Sequence, residues 1–130
     1  MTNDQINAWI DRYAAAIRAR DARAVAECYS EAAEIHVHGL ADAGSAWNSK
    51  HFTGNADVQE EYERFFELVA DFEVDYTDRI ISTEQGAAAM IVRISGTNAD
   101  GSTFNRANAL HLTFDGEGRI AVMRNWYGDA

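Results

Sequence analysis

The sequence predicts an α+β fold, with three helices in the N-terminal half and a curved antiparallel sheet. Two observations carry that prediction. Apolar residues recur at steps of three and four near the start of the chain and again over residues 56–70, whereas beyond residue 71 they alternate or cluster with strand composition. Two tight-turn signals, Asn98-Ala-Asp-Gly101 and Asp115-Gly-Glu-Gly118, cut the later part into consecutive strands. Helices first and a meander afterwards is the α+β order.

Ile6, Trp9, Ile10, Tyr13 and Ile17 form one stripe, so residues 4–20 read as an amphipathic helix with Asp4 available as its cap. Asp21 can cap a second helix whose apolar positions are Ala22, Val25, Ala26 and Tyr29. Next comes Glu34-Ile-His-Val-His38, an alternating strand that ends at Gly39. Residues 39–53 are rich in Gly, Ala, Ser, Asp and Asn and predict a loop, partly tucked against the body by Trp47 and Phe52. Asn55 stands where an N-cap belongs, ahead of a third helix with the stripe Val58, Tyr62, Phe65, Phe66 and Val69. Phe72, Val74 and Tyr76 then alternate with acids, and three further strands follow. Four to six strands with three helices on one side must curl around them, which leaves a cone with one open mouth.

Composition bounds the function. A chain of 130 residues with 47% hydrophobic content predicts one domain, residues 1–130, around one core. Twenty-one acids against 11 bases, a formal charge of -10 and no basic run argue against nucleic acid and anionic membrane surfaces as partners. Cys28 is the single cysteine and cannot form an internal disulfide; with a helix beginning almost at Met1, the cytoplasm is the expected compartment. Charged residues interrupt every apolar run before it reaches the roughly 20 residues a membrane span requires.

The strand Glu34–His38 poses the main question about chemistry. Glu34, His36 and His38 share one face, Ile35 and Val37 the other, and a slip of one residue would exchange the two. Should the histidines face the cone, either is a candidate base with a pKa near neutrality. On the convex side, together with His111, they have the right types for zinc but no concave frame to make them converge, so no bound metal and no cofactor are expected. There they would meet a second subunit or solvent.

The element order, together with "DRYAAAIRARDARAVAECYSEAAEI", "FTGNADVQEEYERFF" and "LTFDGEGRIAVMRNWYG", resembles the nuclear transport factor 2-like superfamily, and more narrowly its ketosteroid isomerase and SnoaL-like polyketide cyclase branch. The resemblance implies a cystatin-like cone, a homodimer through the outer sheet face, and a small apolar molecule as ligand. It also implies that Tyr13, Tyr29 and Tyr62 are hydrogen-bonded pocket tyrosines, with Tyr13 donating to a developing enolate oxygen. Other pocket positions carry over as Met90, Val92, Asn108, Met123, Asn125 and Tyr127, with Trp47 the tryptophan best placed to meet a ligand. At the two carboxylic acid positions of the isomerases this chain has Val37 and Leu110. The expected function is therefore an isomerase or lyase acting on a carbonyl- or phenol-bearing ligand, with proton transfer by His36, His38 or a water; the alternative is a non-catalytic binding or assembly domain.

Overall fold

The computed structural model describes residues 1–130. Its elements are α1 (Asn3–Arg18), α2 (Ala22–Glu27), β1 (Tyr29–His38), β2 (Lys50–Thr53), α3 (Asn55–Leu68), β3 (Val69–Ser82), β4 (Ala87–Asn98), β5 (Thr103–Phe114) and β6 (Ile120–Trp126). The six strands form one curved sheet in the order β2-β1-β6-β5-β4-β3, with the helices on its concave side. The α+β prediction therefore holds.

Three local differences have physical causes. The cap of α1 is Thr2 rather than Asp4: its hydroxyl accepts from the Gln5 amide while the Gln5 side chain accepts from the Thr2 amide, a reciprocal box that Asp4, one residue inside, cannot form. Asn55 does not cap α3. Gly54 does, at φ 89°, because the chain must swing off β2 through a left-handed turn, and Gly54 N–H bonds back to the Ala33 carbonyl. Tyr29 is the first residue of β1 and not the end of α2, since Cys28 already closes that helix.

The sheet is not wholly antiparallel. β1 and β6 run parallel, Ile35 beside Met123 and Val37 beside Asn125, because the chain leaves β1, builds the β2 hairpin, α3 and the meander, and returns on the far side of β1. The barrel also stays open, with β2 and β3 as free edges. A register irregularity lies between Tyr29 and Glu34, upstream of the histidines, so residues 34–38 alternate cleanly. Ile35 and Val37 are buried and face the helices; Glu34 and His38 are exposed.

One connected core of 27 buried residues joins the stripe of α1 to the inner faces of β1, β4, β5 and β6. Ile6, Ile10, Val25, Tyr29, Leu112 and Val58 are all completely enclosed, each contributing roughly 1.5–3 kcal/mol of apolar burial. The segment 39–49, predicted as a loop, is anchored by Trp47, which is 1% exposed. Gly39 makes that docking possible: a Cβ there would stand 2.2 Å from the backbone of Asn48.

Candidate functional site

The stripe of α3 is only half buried along Tyr62, Phe65 and Phe66, although its spacing is that of a core helix. The reason is that α3 forms one lip of an opening, and the inner faces of β1 to β6, with Ile17 of α1 and Trp47, form the rest. Between them lies a cavity of about 650 Å³, open mouth included, with 16 lining residues, 12 of them hydrophobic. An apolar wall interrupted by a few polar groups is the character of a small-molecule site.

Most of the predicted pocket residues meet there. Val37, Trp47, Tyr62, Val92, Asn108, Met123, Asn125 and Tyr127 all line the cavity. Met90 does not; it points inward on the same face of β4 but is sealed in the core. Tyr13 and Tyr29 are also absent from the wall. Their phenols stand behind it, with the Tyr13 hydroxyl 2.9 Å from that of Tyr29 and 2.6 Å from that of Tyr62. The three tyrosines are hydrogen-bonded as the resemblance implied, but Tyr62 is the member that reaches the cavity, and the direct grip on a ligand expected of Tyr13 is corrected accordingly. With one proton and a neighbour on each side, Tyr13 holds Tyr62 in place.

Burial pushes the phenols of Tyr13, Tyr29 and Tyr76 far above the ordinary value, and those of Tyr62 and Tyr127 upward too, so all remain protonated donors at neutral pH. The hydroxyls of Tyr76 and Tyr127 have no hydrogen-bond partner within the protein, which leaves both available to a ligand oxygen. Asn108 Oδ1 accepts from Gly128 N–H at 3.2 Å, leaving its NH2 group free. Asn125 Oδ1 is buried with no partner, an acceptor in the cavity wall awaiting a donor.

His36 and His38 stand outside the cone, which corrects their candidacy as bases acting in it. The even spacing of β1 sends them outward with Glu34 once Val37 faces in. His36 stacks on His51 across the β1–β2 pair, ring centres 4.4 Å apart, and His38 stacks on Trp126 at 5.3 Å. No three His, Cys, Asp or Glu side chains gather as a metal site.

Two charged residues in the wall escaped the sequence reading. Lys50, in the register row that places it beside Val37 and thus next to Asn125, points inward from β2 with its side chain 15% exposed. Its ammonium donates to the Ala46 carbonyl at 3.2 Å and lies 3.9 Å from the Glu61 carboxylate. Desolvation lowers its pKa, against the partial support of Glu61 and with a further push from Arg64. Glu61 also lies 3.7 Å from Arg64, so the carboxylate is held between two cations at the lip. The cavity thus contains the carboxylate that the carried-over positions lacked. A signal for Glu61 was present: it falls between Val58 and Tyr62 on the buried stripe, at steps of three and one. Lys50 was hidden inside a segment read as loop, although Lys50 and Phe52 alternate with His51 and Thr53 as a short strand would.

A curved open sheet closing over helices around one apolar, phenol-rich cavity is the nuclear transport factor 2-like, ketosteroid isomerase-like architecture. Within it the chain belongs to the SnoaL-like domain family, whose model matches residues 10–123. No curated protein matches the sequence. Among solved structures, PrhC from Penicillium brasilianum is 12% identical with a TM-score of 0.79, over 98% of this chain and 83% of that one. The epoxide hydrolase/cyclase-like enzyme SalBIII, described in pyran ring formation in the polyether salinomycin, is 17% identical with a TM-score of 0.78, over 98% and 95% of the two chains. A protein with a ketosteroid isomerase-like fold from Catenulispora acidiphila, in complex with trimethylamine, is 15% identical with a TM-score of 0.77, over 92% and 85%. At these identities the likeness is one of fold. No helix is long and apolar enough to cross a membrane.

Proposed function

We propose that the protein is an isomerase or lyase/cyclase acting on a small, largely apolar molecule that carries a carbonyl or phenol oxygen. The observation that supports this reading is the composition of the cavity wall: 12 of its 16 residues are hydrophobic, and the unpartnered hydroxyls of Tyr76 and Tyr127 and the NH2 group of Asn108 are its free donors. Donors held neutral in a dry wall favour an oxygen that gains negative charge during reaction. Val37 and Leu110 at the two acid positions favour a second reading, a non-catalytic binding domain of the same fold.

Both readings require a ligand in the cone, and calorimetric titration with 2-naphthol tests that requirement. Binding is expected, weakened about 3- to 10-fold in Tyr76→Phe or Tyr127→Phe, which is the loss of one neutral hydrogen bond. Absence of any binding would remove both readings.

The outer face carries the companion proposal of a homodimer. The stacked pairs His36–His51 and His38–Trp126, with Trp126 42% exposed, give β1, β2 and β6 an aromatic, weakly charged surface suited to a second copy. Light scattering should return twice the 14.4 kDa chain mass at micromolar concentration; the chain mass itself would refute the dimer.

A further inference from the structure

An isomerase or lyase of this kind must move a proton, and the cavity wall offers few groups to do so. Its three tyrosines, Tyr62, Tyr76 and Tyr127, are protonated donors, and neither Asn108 nor Asn125 titrates. The Glu61 carboxylate sits at the lip, 31% exposed and between the Lys50 and Arg64 cations, so its oxygens are turned to those partners rather than into the apolar seat. Lys50 remains. Its side chain is 15% exposed, and its ammonium makes one hydrogen bond, to a backbone carbonyl, and keeps only a long 3.9 Å ion pair. Its position is also suitable. Lys50, Val37 and Asn125 are cross-strand neighbours on the inner face of β2, β1 and β6, spaced by roughly 5 Å per strand, so an amine and an amide flank one apolar seat.

We propose that Lys50 is the proton-transferring group of the cavity, acting on a ligand with an acidic C–H beside its carbonyl. The inference rests on the isomerase or lyase reading and supplies the base that reading lacks. In its free amine form Lys50 takes the proton: the C–H bond breaks, an N–H bond forms, and the electron pair moves into a carbon–carbon double bond as the carbonyl oxygen becomes an enolate. Tyr76 or Tyr127 donates to that oxygen. Where the acidic C–H lies between the carbonyl and a carbon–carbon double bond, the enolate is a dienolate. The ammonium then returns the proton to its far carbon, the double bond moves into conjugation with the carbonyl, and no other reactant is consumed. Glu61 and Arg64 from α3 are the charged groups facing Lys50; His36, His38 and His51 project from the opposite side of the sheet. Desolvation brings the free amine within reach at lower pH than an exposed lysine allows.

A base can be tested without the natural substrate. The apolar probe 5-nitrobenzisoxazole loses a C–H proton to a general base, its N–O bond breaks, and a coloured cyanophenolate is released. Wild type should open this ring about 100-fold faster than the same concentration of free butylamine, with a rate that rises with pH and levels off below the ordinary lysine value of 10.5. Lys50→Met should lose that advantage, and Lys50→Arg should lose it equally, because a guanidinium keeps the charge but does not give up its proton. Glu61→Gln removes a group that holds the ammonium, so its profile should move to lower pH. Far-UV circular dichroism confirms that each variant is folded. Retention of the rate in Lys50→Arg, an unmoved profile in Glu61→Gln, or no rate above butylamine would overturn the assignment. If 2-naphthol still binds in that case, only the role of Lys50 is lost; if it does not, the ligand-binding reading is lost as well.

Discussion

Raising the pH above 10 is expected to unfold the protein in one cooperative step in which the phenols ionise together. All five tyrosines of the chain are held above the ordinary value of 10.0, in each case chiefly because burial disfavours the phenolate. Below pH 10 folded and unfolded chains carry the same phenolic protons, and this contribution to stability is fully present. Above it the unfolded chain releases protons that the folded chain keeps, so stability falls as pH rises. Tyr13 and Tyr29, 2% and 0% exposed, together remove about 3 kcal/mol per pH unit, against a total stability of roughly 5–15 kcal/mol for a domain. Tyr62, Tyr76 and Tyr127 add to that slope. Lys50 works in the opposite sense: its lowered pKa makes stability rise with pH up to 10.5, after which nothing offsets the tyrosines. Tyrosinate absorbance and far-UV circular dichroism, followed from about pH 8 to about pH 12, should therefore change in one coincident transition. Gradual phenol ionisation while the helical signal stays native would show that the Tyr13–Tyr29–Tyr62 network is open to water.

That network also shows what the sequence could and could not convey. Tyr13 was legible as an inward residue because it shares a helical stripe with Ile6, Ile10 and Ile17, and burial follows from periodicity alone. Which of three clustered phenols faces the ligand is set by tertiary geometry. The step from α2 into β1 starts the strand at Tyr29, and the half-open lip of α3 brings Tyr62 forward. No local pattern encodes either. The orientation of His36 and His38 was legible on one condition, that Val37 faces in; the irregularity that could have reversed it exists but lies upstream of Glu34.

The strands of the meander were readable because Gly101 and Gly118 occupy left-handed turn positions, at φ 90° and 80°, that mark hairpins in any sequence. The parallel pairing of β1 with β6 was not. It depends on contacts across some ninety residues, which leave no trace in local alternation. Polar composition concealed β2 in the same way: a four-residue edge strand whose residues alternate half-buried and exposed looks like a loop. Lys50 was lost with it, and so was the candidate base.

Trp47→Ala is expected to be the most damaging single substitution outside the central helices, costing about 3–5 kcal/mol. The indole is 1% exposed although it sits in a polar, glycine-containing segment. Its ring centre lies 4.6 Å from Phe104, 5.4 Å from Tyr127 and 5.5 Å from Phe65, and the Arg106 guanidinium covers it at 5.1 Å. The Nε1–H donates to Asn98 Oδ1 at 3.1 Å, which ties segment 39–49 to the β4–β5 turn. Removing the ring forfeits aromatic contacts on three sides and the cation–π contact on a fourth, and it joins the vacated space to the cavity that Trp47 lines. Trp47→Phe keeps much of the volume and should cost roughly 1–2 kcal/mol, the difference reporting the lost hydrogen bond and the smaller ring. Urea unfolding followed by circular dichroism measures both, and the alanine variant should melt roughly 10–20 °C lower. A loss below about 1 kcal/mol for Trp47→Ala would mean that the segment is not docked in solution. The apolar end of the cavity would then be open, and the mouth beside Lys50 would be wider than the structure places it.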